Sequence, residues 1–519
     1  MKNLTLRQEV AQMVMPRLDG MKLDDSRYLS KVQELIQAGI GGFILFGGTF
    51  ERTPYHLREI QSLAGIPLLI ASDVERGLGQ QLAGGTRFPN QRAVAAAIDR
   101  RSRKDINLLD SMLAAVRIET RAAGVHAVFS PVVDVNNNPA NPIICTRAFG
   151  DEPDTVSWFG SRYIKQLQKP SAGGRIDVIA CAKHFPGHGD TDQDSHTVLP
   201  VIHGNKSRLN RIELPPFRQA VRDGVGMVMV AHLLVPALEP EKPATFSKKT
   251  VTALLREGME FNGLIVSDAL DMGALADIYS QEEIAIRCVE AGIDILLHPM
   301  DAAATIGAVV SAVEQGRLTH QRISESVERI TAVKKRLGLF DKTGQKIVHV
   351  DSQKHQRIAR KIGRKALRIV YGNTKMFPLK RDGGTACFIL DDDNGADTGD
   401  VFIRMMREHF KYLSIMVLTP GSDMPESLMR DSITAADSVV LVAYSRISAS
   451  KGHSGLTDSL RDRAIQILRV AKAAKTKSVV ISFDSPYLLA LLKDADARIA
   501  AYDQMDEIQQ AAAELLAGK

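Results

Sequence analysis

The 519-residue sequence is poor in cysteine, with four, and holds a single tryptophan. Cys145, Cys181, Cys288 and Cys387 lie far apart and mostly among apolar neighbours. That spacing excludes a zinc ribbon or a small disulfide framework and suits reduced thiols. No apolar run is long enough for a membrane span, since 226–238 is broken by His232 and Pro236. Residues 1–15 read as an amphipathic first helix and lack the apolar centre of a signal peptide, so a cytoplasmic protein is expected. The formal charge is +6, yet Lys and Arg are scattered and never interleave with aromatics in a basic run. Neither nucleic acid nor membrane is therefore an expected partner.

What is present is a chain long enough for more than one domain, with 45% hydrophobic residues to fill the cores. Short, wholly apolar runs recur at 40–46, 67–72, 127–135, 178–182, 226–231, 263–267 and 293–297. Apolar on both faces, they read as parallel strands buried on both sides. Amphipathic segments such as 103–123, 216–222 and 281–291 alternate with them. The alternation predicts an α/β fold whose first domain, residues 1–345, is a (β/α)8 TIM-like barrel. A polar break at 341–346 marks the boundary. Residues 351–519 restart with a basic helix, 355–368, and strands at 386–390, 413–418, 438–443, 478–483 and 497–502, which predicts a C-terminal α/β/α sandwich. The aspartates at 391–393 read as a solvated strand end.

In such folds the working loops follow the carboxyl ends of strands. Four polar clusters stand there: Asp73-Val74-Glu75-Arg76-Gly77; the segment from Asn136 to Arg147-Ala148-Phe149-Gly150; Lys183-His184-Phe185-Pro186-Gly187-His188-Gly189-Asp190 through Asp194-Ser195-His196; and Ser267-Asp268-Ala269-Leu270-Asp271-Met272. The third is read as a glycine-broken loop dense in ionisable groups, poorly suited to a core and well suited to proton transfer on a polar ligand. Taken alone, Asp268 reads equally as a strand-end nucleophile or as a helix N-cap. Asp271 reads as a capping or structural residue, and His188 as a residue that shapes the loop.

These motifs, with Gly84-Gly85-Thr86-Arg87-Phe88-Pro89, occur in the order found in the family 3 glycoside hydrolases. The sequence resembles that family, in particular its two-domain β-N-acetylglucosaminidase branch. The resemblance implies a retaining exo-acting hydrolase that removes terminal N-acetylglucosamine from peptidoglycan fragments or chitooligosaccharides. It assigns Asp268 as nucleophile, His196 as acid/base with Asp194 as its partner, and Asp73, Arg147, Lys183 and His184 as sugar-binding residues. It implies a carbohydrate substrate as partner, no cofactor and no metal. Gln81 stands where single-domain bacterial members carry a ligand-binding arginine. Competing readings are a phosphorylase or β-glucosidase of the same family, a non-catalytic sugar-binding protein, and a metal-dependent barrel hydrolase. Against the last, no His-x-His closes a strand, and Pro186-Gly187 breaks the helix that an i, i+4 histidine pair requires.

Overall fold

The structure, a computed structural model, describes residues 4–171, 174–341, 349–372 and 374–519. These fall into two compact units that interleave along the sequence. The first comprises 1–88, 110–138 and 148–356; the second comprises 89–109, 139–147 and 357–519. The polar break expected at 341–346 lies, beyond Asp341, outside the described residues.

The first unit is built on nine short strands: β1 (Val14–Met15), β2 (Arg17–Asp19), β3 (Gly42–Phe46), β4 (Leu69–Ser72), β5 (Ala127–Val128), β6 (Ile179–Phe185), β7 (Met227–Val230), β8 (Leu264–Ser267) and β9 (Leu296–Leu297). Strands β2 to β8 pair in parallel, each with its neighbour in sequence. β1 pairs in parallel with β9, and a bridge joins Val266 of β8 to Ile295, just before β9. The result is a curled, barrel-like parallel sheet. Helices Ser26–Gln37, Thr53–Leu63, Pro153–Leu167, Leu214–Arg222 and Gln281–Ala291 are among those that alternate with the strands. Strands β3 to β8 are buried along almost their whole length, which is why they lack alternation in sequence.

Three local expectations change. The N-terminus is a helix only over Leu6–Gln12, capped by Thr5 and Gln8 in a reciprocal capping box, and then turns into β1 and β2. The run 127–135 pairs regularly only at Ala127–Val128; Pro131 has no N–H to give to a ladder, and the buried segment continues irregularly. β6 runs on through Lys183 and His184 to Phe185, so the histidine-rich segment begins on a strand and not in a loop.

The second unit carries six strands: β10 (Arg368–Tyr371), β11 (Gly384–Asp391), β12 (Tyr412–Leu418), β13 (Ser438–Tyr444), β14 (Lys477–Ser482) and β15 (Ala497–Ala500). Their order is β10-β15-β14-β13-β11-β12, parallel except for β10 at one edge. Helices Asp400–His409, Glu426–Thr434, Asp458–Ala474 and Asp506–Ala517 connect the strands or follow the last of them. β10 escapes the hydropathy pattern because it is four residues long and mostly exposed. The aspartates after β11 are not solvated: Lys451 Nζ lies 3.1 Å from Asp392 and 2.8 Å from Asp393. Each of the four cysteines is buried and outside any disulfide, and burial pushes the Cys145 and Cys387 thiols up to about 12.

Candidate active site

Parallel strands end at the same rim, so the residue after each apolar run faces a common space. Five adjacent strands deliver a polar group there. β4 is followed by Asp73 and Glu75, and β6 carries Lys183 and His184. The chain beyond β5 supplies Asp134, that beyond β7 His232, and that beyond β8 Asp268.

These groups satisfy one another. Lys183 Nζ, almost wholly buried, sits 2.7 Å from Asp73 Oδ1 and 2.8 Å from Glu75 Oε1. One cation between two carboxylates gives each a partner in a site where an unpaired charge would be costly. Asp134 is fully buried and accepts from His184 Nδ1 at 2.7 Å. Burial raises its pKa, but the charge of His184 and the hydrogen bonds from His184 and His188 outweigh this and hold Asp134 below the usual carboxylate range. An ionised carboxylate only accepts, so Nδ1 of His184 carries the hydrogen.

Asp268 shows the same balance. Burial raises its pKa; the charges of His184 and His232, the Ala269 N–H and the charge of His196 together lower it below the ordinary value. Its Oδ1 accepts from Ala269 N at 2.9 Å, and its own N–H donates to Val230 O at 3.0 Å. The next helix, Gly273–Ala276, has Met272 as its N-cap residue, so Asp268 does not cap it. Asp271 pairs instead with His298 at 2.9 Å. His232 is buried with its pKa lowered, chiefly by burial, and bridges Thr245 Oγ1 at 2.8 Å and Ala269 O at 3.0 Å. It braces the turn that carries Asp268.

Beyond β6 the chain leaves the sheet through Pro186-Gly187-His188-Gly189. A Cβ at Gly189 would lie 1.8 Å from Val135 O, so only glycine allows this approach. Further on, Asp194 Oδ1 takes two hydrogen bonds from His196, one from its N–H at 3.0 Å and one from Nδ1 at 2.7 Å. This closes a local Asx-type turn that fixes both backbone and ring. Asp194 is buried, while His196 is more open, with 36% of its side chain exposed. With Nδ1 committed to Asp194, Nε2 is the ring nitrogen presented for proton transfer. His196 O accepts from Gly273 N at 3.2 Å, tying this loop to the segment just after Asp268. Asp190 is paired with Arg208. Among the described residues, no group of three His, Cys, Asp or Glu side chains is arranged to hold a metal ion.

Residues 5–333 match the family described as the glycosyl hydrolase family 3 N terminal domain. The chain belongs to glycoside hydrolase family 3. The family 3 assignment is accompanied by a 27% identity to a beta-hexosaminidase A of Pseudoalteromonas piscicida, covering 87% of this chain and 79% of that protein. A beta-hexosaminidase of Nitrosomonas eutropha is 32% identical over 56% of this chain and 83% of its own. The family 3 beta-N-acetylglucosaminidase structure from Paenibacillus sp. str. FPU-7 superposes with a TM-score of 0.83 at 28% identity, covering 99% of this chain and 97% of that one. A beta-glucoside phosphorylase covers 99% of this chain and 92% of its own with a TM-score of 0.84 at 21% identity, a likeness of fold.

Of the residues singled out in this family 3 sequence, Asp73, Lys183, His184, Asp194, His196 and Asp268 all belong to the first unit. Arg147 is grouped with the second unit, where its Nη1 donates to Ile143 O at 3.1 Å and its carbonyl accepts from Gln91. The sequence patterns assign no role to Asp134 or His232 and name Glu75 only as part of its motif. Asp134, between Val133 and Val135, and His232, between Ala231 and Leu233, each stand singly among apolar residues.

Proposed function

We propose that this family 3 glycoside hydrolase is a retaining exo-β-N-acetylglucosaminidase, acting on the non-reducing end of GlcNAc-containing oligosaccharides. The observation that carries this reading is the pairing of two unlike groups: a half-buried strand-end aspartate whose pKa is held below the ordinary value, and an imidazole backed by Asp194 on a loop bonded to the same segment. In the first step Asp268 attacks the anomeric carbon as the glycosidic C–O bond breaks, and protonated His196 gives its Nε2 proton to the leaving oxygen. In the second step neutral His196 takes a proton from water, whose oxygen attacks the anomeric carbon and releases Asp268 as carboxylate. Asp194 orients the imidazole and stabilises its cationic form. Asp73, Lys183 and His184 bind the sugar hydroxyls, for which charged donors and acceptors held in ion pairs are well suited; Arg147 takes this role from the sequence resemblance alone.

The reading extends to a (β/α)8 catalytic domain over 1–345, an α/β sandwich over 351–519, and a cytoplasmic role on peptidoglycan fragments or chitooligosaccharides. The similarity to beta-hexosaminidases and to a beta-N-acetylglucosaminidase supports the sugar; the leaving group rests on sequence resemblance.

Asp268→Ala abolishes turnover on this account. His196→Ala slows substrates with poor leaving groups by about 10²–10⁴-fold, as expected for loss of a general acid, and aryl glycosides with good leaving groups far less. Steady-state kinetics on a disaccharide and on a dinitrophenyl glycoside check this. Equal losses on the two substrates would remove His196 from the acid role.

A further inference from the structure

The loop that carries Asp194 and His196 has little apolar material to hold it. Val198, its one aliphatic residue near His196 apart from Leu199, is 44% exposed. Its position must come from polar anchors, and one set of these leads back into the barrel wall. Asp134, fully buried, accepts three hydrogen bonds: from His184 Nδ1 at 2.7 Å, from His184 N at 3.1 Å and from His188 N at 2.7 Å. His188 is itself buried, and its Nε2 lies 3.0 Å from Ser195 Oγ. Ser195 is 2% exposed and stands between Asp194 and His196. The two rings meet edge to face, with His184 and His188 centroids 6.0 Å apart.

We propose that Asp134, His188 and Ser195 form a positioning relay that holds the Asp194–His196 pair in its working conformation from the barrel wall. One carboxylate fixes both ends of the arrangement: it sets the His184 ring directly, and it sets the His188 backbone, whose ring reaches the serine flanked by the acid/base pair. His188 is not a proton-transfer group. Burial, followed by the nearby charge of His184, pushes its pKa down to about 4, so at neutral pH it is an uncharged hydrogen-bonding partner. The relay gives the buried hydroxyl of Ser195 and the buried ring of His188 a common purpose. It rests on the role given to His196 above.

The test is the dependence of kcat/KM on leaving-group pKa across a series of aryl N-acetyl-β-glucosaminides. Loss of acid assistance steepens that slope, whereas partial unfolding lowers every point equally. Ser195→Ala removes one hydroxyl and His188→Ala removes the ring. Each is expected to cost about 10- to 100-fold on the poorest leaving groups, the scale of a 1 Å misplacement, and little on the best. His188→Gln, whose amide can still meet Ser195, restores most of the loss. His196→Ala, run in parallel, separates the two ideas. If it steepens the slope and Ser195→Ala and His188→Ala do not, the relay is wrong and the acid assignment stands. If His196→Ala itself leaves the slope unchanged, both are overturned.

Discussion

Asp268 must be ionised to attack, and its neighbours decide when it is. Because its folded pKa is depressed, the carboxylate is charged above the usual aspartate range and gains a proton only as pH falls through that lowered value. After burial, which opposes the shift, His184 is the largest influence and lowers it. Replacing His184 by phenylalanine removes that charge, so the acid limb of the kcat/KM profile moves to higher pH. A limb that stays in place while KM alone rises would mean that His184 binds sugar without tuning Asp268. The residue-level logic was largely legible in sequence where charged groups follow an apolar run, as at Asp73 and Asp268. It failed at Asp134 and His232, which sit singly among apolar residues and show their role only through partners distant in sequence. Asp134 meets His184 and His188 across 50 and 54 residues. No spacing rule carries that information.

At the scale of elements, hydrophobicity located most strands but misplaced several ends, because it reports burial and not backbone conformation. β6 extends past Ala182 through a lysine and a histidine, which remain buried because Asp73, Glu75 and Asp134 neutralise them. β1 and β2 are two and three residues long, too short for any periodicity to register. The opposite side of the same physics holds β8 in place. Asp294, fully buried, receives Arg256 at 2.7 Å, Arg329 at 3.1 Å, Ser326 Oγ at 2.6 Å and the Ile265 N–H at 3.0 Å. It thereby ties the start of the strand that leads to Asp268 to the helices behind it. Asp294→Ala leaves Arg256 and Arg329, both partly buried, without their fully buried counter-charge and is expected to destabilise the protein by about 3–5 kcal/mol. Chemical denaturation of the variant measures this. A loss below about 0.5 kcal/mol, the range of an ordinary surface change, would show that the cluster is not a structural anchor.

For the molecule as a whole, alternation of apolar and amphipathic segments announced an α/β fold, and the described residues do form a barrel-like parallel sheet and a six-stranded, mostly parallel one. What linear reading could not supply is the interleaving of two compact units, with 89–109 and 139–147 grouped with the later half of the chain. Contacts made at long range assign those segments, and local propensity is silent about them. The chemistry proposed for the molecule draws its reacting groups from β8 and from the loop beyond β6, over a barrel-like sheet that brings strand ends to one rim. That account requires a covalent glycosyl-enzyme on one particular side chain. Incubating the enzyme with a 5-fluoro N-acetylglucosaminyl fluoride, digesting it and sequencing the labelled peptide by mass spectrometry tests this most directly. The account predicts a single sugar adduct on Asp268. An adduct on Asp271 or any other carboxylate, or turnover of the reagent by an Asp268→Ala variant at the native rate, would contradict it.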